Sequence, residues 1–145
     1  MQTFIYGAQF EPGDKSGIVV TFPDVPEAIT EGKDIDDARA MAEDALGLAL
    51  LSYPARGLPL PKPRAHRRKL QPITPAPEVT AKLAIISAFA AAAISKSELA
   101  RRLGKNEKEV RRLLDPKHPT KLQPLSDALR ILGKRLVIGV DDLAA

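Results

Sequence analysis

Near the start of the chain Phe4, Tyr6, Ala8 and Phe10 occupy every second position, with less apolar residues between them. This alternation places one face of a β-strand against a core. The segment PGDKSG, residues 12–17, supplies turn formers, and Ile18, Val20 and Phe22 then resume the alternation, so a hairpin is predicted. Residues 28–31 fit a short third strand. The period then changes. Ile35, Ala38, Ala42, Ala45, Ala49 and Tyr53 recur at three- and four-residue steps, the mark of a helix with one stripe on the sheet. Asp34 stands at its N-cap, Asp37 is placed like the acid of a capping box, and Asp36, Glu43 and Asp44 fall off the stripe. A fourth strand is expected within residues 68–73, which completes a β-β-β-α-β layer.

Seven of the 13 prolines fall within residues 54–77, so this stretch is expected to be extended and outside any helix interior. It divides the chain into a domain over residues 1–73 and a second over 74–145. The second reads as successive helices. Residues 78–93 are expected to bury Val79, Leu83, Ile86 and either Phe89 or Ala90. Ser95 and Glu98 form a capping-box pair opening a helix to Leu103, with Gly104 as its left-handed stop. Asn106 and Glu109 open the next, through Leu114 and halted at Pro116. Thr120 and Gln123 repeat the signature for a helix ending at Gly133, with Pro124 in its first turn. Leu136, Ile138 and Val140 alternate as a terminal strand. A lone strand leaves backbone groups unpaired, so these three residues are expected to pair with another subunit. The fold class is α+β, followed by an all-α domain.

Composition sharpens this picture. With 4% aromatic residues and no Trp in 145, the cores must be built from Leu, Ile, Val and Ala, and each is small enough to benefit from a partner subunit. The absence of Cys excludes disulfides and thiolate metal sites. Residues 1–10 show no basic and then apolar leader, and the longest apolar run, residues 83–94, is too short to span a bilayer. A soluble protein without a membrane partner, in the cytoplasm, is expected. Charge is split along the chain. Residues 1–60 carry four Lys or Arg against ten Asp or Glu, a net of −6, and residues 61–145 carry 18 against 8, a net of +10. An acidic half suits a basic partner and a basic half suits phosphates; solvated faces are the alternative for both.

The basic stretch SELARRLGKNEKEVRRLLD, residues 97–115, has the register of a helix-turn-helix. Leu99, Ala100 and Leu103 face inward from the first helix and Val110, Leu113 and Leu114 from the second, with Gly104 making the turn. Lys96, Glu107, Lys108 and Arg111 are left where base edges would lie in a major groove. Arg112, Lys117, Thr120 and Lys121, the last three in the loop DPKHPTK, are left where phosphates would run. The same register also fits an ordinary capped bundle. The run RAHRRK, residues 64–69, reads either as a nucleic-acid contact or as a charged strand edge.

Catalytic patterns are thin. Asp14, Asp24, Asp34, Asp36 and Asp37 sit in turns and at a helix start, not converging from the ends of several elements as a two-metal site requires. His118 lacks a second ligand at metal spacing, and there is no nucleophile elbow, phosphate loop or zinc motif. No catalytic residue, metal or cofactor is expected.

These residues, taken in order, resemble the HicB antitoxins with a C-terminal helix-turn-helix. FPDVPEAITEG (22–32), DIDDARAMAEDAL (34–46) and LPLPKP (58–63) resemble the family's N-terminal pattern. SELARRLGK (97–105), EVRRLL (109–114), HPTKL (118–122) and ALRILGK (128–134), with the final strand, resemble its DNA-binding domain. RAHRRKL departs from the less basic strand that the pattern carries after the prolines. The resemblance implies a truncated ribonuclease-H-like N-domain without catalytic carboxylates, which covers the catalytic surface of a small basic mRNA-cleaving toxin of the HicA family. It also implies a Cro/repressor-like domain that binds the operon's own promoter DNA, in a dimer or tetramer. Asp24, Glu27 and Glu31 are the candidate toxin contacts. The alternatives are a transcriptional regulator whose N-domain senses a small ligand, and an active nuclease.

Overall fold

The alternation at the N-terminus becomes β1 (Tyr6–Pro12), and β2 (Ile18–Thr21) pairs antiparallel with it, Phe10 opposite Val20. Gly13 N–H donates to Gly17 carbonyl at 3.0 Å to close the turn, and Gly17 takes the left-handed φ of 78° that the turn needs. β3 (Ile29–Gly32) pairs antiparallel with β2, and β4 (Gln71–Ile73) returns to the other side of β1, for a sheet order β3-β2-β1-β4. The computed structural model describes residues 1–64 and 69–143, so the Arg68 start expected for β4 and the centre of RAHRRK lie outside the described residues. The chain forms two compact units, Met1–Ala76 and Pro77–Ala145, each described by itself.

α1 (Ile35–Ala55) covers one face of the sheet. Asp34 caps it, accepting from Asp37 N–H at 2.9 Å. The Asp37 carboxylate accepts from Lys33 N–H at 2.8 Å, so the reciprocal bond of the capping box falls one residue upstream of the expected place. The buried stripe is Ala38, Ala42, Leu46, Ala49 and Leu50, whereas Ile35 is exposed and Ala45 and Tyr53 are half-buried. Two apolar registers compete on this helix, and the one that buries Leu46 and Leu50 removes more apolar area from water. Gly32 permits the close approach: a Cβ there would lie 2.3 Å from Ala38 N. Pro54 sits inside α1, contrary to its expected place outside any helix. It lies in the last turn, where bonds such as Arg56 N–H to Ser52 carbonyl, 3.1 Å, carry the helix past it.

The segment after α1 is tied back to this unit. Tyr6 Oη donates to Pro61 carbonyl at 2.6 Å, and Arg64 N–H donates to Asp24 at 2.8 Å. Burial, with Asp24 and Tyr53 adding to it, pushes the Tyr6 phenol up to about 12.

The second unit holds α2 (Pro77–Ala92), α3 (Lys96–Leu103), α4 (Glu107–Leu114) and α5 (Leu122–Ile131). One cluster joins Ala81 and Ile85 of α2 to Leu113, Leu125, Ala128 and Leu129; another joins Leu99, Ala100 and Val110. On α2 the buried residues are Ala81, Lys82, Leu83 and Ile85, while Val79, Ile86 and Phe89 are half-buried and Ala90 is exposed. α2 is apolar nearly all round, so its sequence carries little information on which side faces inward. The capping pair expected for α5 does not form. Lys121 is its N-cap without a side-chain bond, Thr120 is engaged elsewhere, and Gln123 donates to Asp127 at 2.8 Å. The terminal strand is not formed either: among the described residues, 136–140 pair with no strand. Leu136 packs on the first cluster, and Val137, Ile138 and Val140 are exposed.

Candidate nucleic-acid and protein interfaces

α3 and α4 are eight residues each, joined by a three-residue turn. Ser95 accepts from Glu98 N–H at 3.0 Å, and Gly104, at φ 67°, ends α3 in the left-handed region. Glu98 does not close a capping box. Arg101 and Arg102 donate to its carboxylate, and these bonds pull it down to about 2. At α4 the box is complete: Glu109 N–H donates to Asn106 Oδ1 at 2.9 Å, and Asn106 N–H to Glu109 Oε2 at 3.2 Å.

Val110 and Leu113 turn inward, which leaves Glu107, Lys108, Arg111 and Arg112 on the outward arc of α4. Lys96 is exposed at the start of α3. Ser97 donates to Glu107, and Arg111 pairs with Glu107 at 3.1 Å, so those two charges largely offset each other. Lys96, Lys108 and Arg112 form no ion pair among the described residues. Lys117 and Lys121 are exposed in the following loop. A shallow depression of about 170 Å³ beside it is lined by Lys105, Arg112, His118 and Thr120, among others. The predicted cations are thus brought to one unit and exposed to solvent.

Thr120 differs from expectation. Its hydroxyl accepts from Lys82 Nζ at 2.7 Å and lies 3.4 Å from His118 carbonyl, to which it donates, so it is a structural bond within the unit. Lys82 is the residue that the sequence reading missed. It is 4% exposed, the one buried charged residue among those described, and it also donates to Arg112 and Leu113 carbonyls at 2.8 and 2.9 Å. It therefore caps the C-terminal end of α4 from α2. Burial lowers its pKa to about 8, against a smaller opposing pull from Asp115. The available signal was a lone cation within TAKLAII, an apolar run with little room for a solvated face.

In the first unit the three candidate acids separate. Asp24 is bonded to Arg64 N–H. Glu27 accepts from Tyr53 Oη at 2.6 Å and pairs with Arg56 at 3.6 Å; the tyrosine bond first, then a bond from its own backbone N–H, with Arg56 adding less, holds its carboxyl below the usual range. Glu31 stands exposed on β3. Among the described residues no three His, Cys, Asp or Glu come together as a metal site, and no single helix is long and apolar enough to cross a membrane.

A four-stranded sheet covered by one helix, followed by a basic four-helix unit, makes this a two-part α+β protein. Residues 5–84 match the family model described as the HicB-like antitoxin of bacterial toxin–antitoxin systems. The chain is 35% identical over 135 residues to Antitoxin HicB of Escherichia coli strain K12, covering 90% of this chain and 95% of the relative. It is 32% identical over 138 residues to Antitoxin HicB 1 of Photorhabdus laumondii, covering 94% and 86%. Antitoxin HicB of Pseudomonas fluorescens is 30% identical over 132 residues, covering 90% and 88%. The chain belongs to the HicB-like antitoxin family.

Proposed function

We propose that this antitoxin binds and neutralises a HicA-like mRNA-cleaving toxin through its first unit, and represses its own operon through its second. The observation that carries this reading is the match along both units to proteins named Antitoxin HicB. Charge supports the division of labour in part: residues 77–145 carry 13 Lys or Arg against 8 Asp or Glu, a net of +5 suited to DNA, while the net of −6 over residues 1–60, suited to a basic toxin, falls to −1 over residues 1–76 through Lys62, Arg64, Arg67, Arg68 and Lys69.

The first unit is read as a truncated ribonuclease-H-like fold from the family resemblance, its β4 running antiparallel to β1, and the α3–α4 pair suits a Cro/repressor-like helix-turn-helix. In this reading α4 is the recognition helix. Lys96, Lys108 and Arg111, with Glu107, approach base edges, whereas Arg112, Lys117 and Lys121 lie along phosphates. Thr120 acts by shaping the loop that carries Lys117 and Lys121. The exposed tail with Leu136, Ile138 and Val140 pairs between subunits, which supplies the dimer that a two-fold operator needs. The protein is not an enzyme, and both targets place it in the cytoplasm. Co-expression with a HicA-type toxin tests the first half, by rescue of growth. Gel shift of the chain's own promoter fragment against random DNA tests the second.

A further inference from the structure

Within the first unit α1 is the one helix on the sheet, and among the described residues no helix packs on the opposite face. Register places Glu11, Val19 and Glu31 in one cross-strand row and Gln9, Thr21 and Ile29 in the next. These rows point away from α1, because the alternating rows contain buried Val20 and Gly32, and Gly32 abuts Ala38 of the helix. The face mixes acids with apolar side chains, Val19 being half-buried. Ile29 is 65% exposed, and Ile5, at the same parity just ahead of β1, is 45% exposed. Gln9 Nε2 donates to Glu11 Oε1 at 2.6 Å, which holds that carboxylate along the face. The two rows contain two acids and no cation.

We infer that this sheet face, centred on Val19 and bordered by Glu11, Glu31 and Ile29, is the surface that receives the basic protein partner; this rests on the antitoxin–toxin reading. Glu11 and Glu31 flank Val19 on either side, about 10 Å apart across two strand spacings. The matching partner surface is an apolar side chain between two Lys or Arg. Such a contact removes Ile29 and Val19 from water while each carboxylate gains a counter-charge. A second copy of this chain fits poorly, since two-fold packing of the face sets glutamates against glutamates. Glu27, whose carboxylate already pairs with Arg56, and Asp24, which is not in these two rows, are secondary contacts.

The test is the affinity of the full chain for a purified HicA-type toxin, measured at two salt concentrations. The double reversal Glu11→Lys with Glu31→Lys should weaken binding by about tenfold or more and remove much of its salt dependence. Ile29→Ser, which adds no charge, should weaken it severalfold and guards against a folding effect of the reversals. Asp44→Lys and Leu48→Ser, on the outward side of α1, are the controls and should change affinity less than about threefold. Wild-type binding that survives the sheet variants, or that is lost in the helix variants instead, overturns the inference and leaves the antitoxin reading standing. Sheet variants that change the mass of the chain alone, with toxin affinity intact, make a second copy the occupant and also overturn it. Failure of the unaltered chain to bind overturns both readings.

Discussion

Lys82 Nζ and Thr120 Oγ1 lie 2.7 Å apart, and through this bond α2 fixes the loop that leads into α5. The same ammonium group reaches the last carbonyls of α4, from Arg112 and Leu113, so three acceptors converge on one buried cation. Lys82→Met keeps the volume and removes every donor. It should destabilise the second unit by about 1–3 kcal/mol, because the carbonyls are left without a partner. Thr120→Val should cost less, since two of the three acceptors remain. Chemical denaturation of the three proteins checks the order.

The same lysine predicts a pH signature. Its folded pKa, about 8, lies below the ordinary 10.5, so between these values the unfolded chain holds the proton more tightly. Stability must then rise as pH increases from about 8 towards 10.5, the reverse of a lysine stabilised by an ion pair. Denaturation midpoints across that window should climb in the wild type relative to Lys82→Met. A parallel pair of curves would show that the group does not titrate there.

For DNA, Lys108→Ala should lose roughly 1–3 kcal/mol on the operator and relax preference at one base position. Lys121→Ala should weaken binding to every duplex and reduce the salt slope by about one unit. Titration of both variants against operator and random DNA separates the roles. If Lys108→Ala leaves affinity and base preference intact, α4 is not the reading helix.

The exposed tail predicts assembly. Val137, Ile138 and Val140 are 55, 65 and 100% exposed, and they belong to no strand of the sheet among the described residues. Truncation after Gly133 should reduce the oligomeric state seen by sedimentation. An unchanged state would remove the tail from the interface.

Gly32→Ala should disrupt the first unit. Its Cβ would meet backbone atoms of Ala38 at 2.3 and 2.5 Å, and neither strand nor helix can yield without opening the other. A loss on the order of 2–4 kcal/mol is expected, with toxin binding reduced in proportion to the unfolded fraction.

Periodicity made most of this architecture legible. The hairpin, α1, and the capped pair α3 and α4 fall where alternation, Asp34, Ser95, Gly104 and Asn106 put them. Those signals are local, so they survive reading without the rest of the fold. The inward side of α2 was not legible, because a helix apolar on every side has no preferred face until its neighbours are known. Lys82 was lost for the same reason. Thr120 looked like a cap because the signature at residues 120–123 is real, yet a buried ammonium outcompetes a backbone N–H for its hydroxyl. The open sheet face escaped because alternation was followed on its buried side; Glu11, Val19, Ile29 and Glu31 align only once the register is known.

Toxin neutralisation is tested most directly by titrating a HicA-type toxin's RNA cleavage with the purified full chain. Cleavage should fall linearly to zero at a fixed whole-number ratio of the two proteins, with the chain alone leaving RNA intact. Cleavage that persists at saturating chain, or metal-dependent cleavage by the chain itself that vanishes on substituting Asp24 or Asp34, would contradict it.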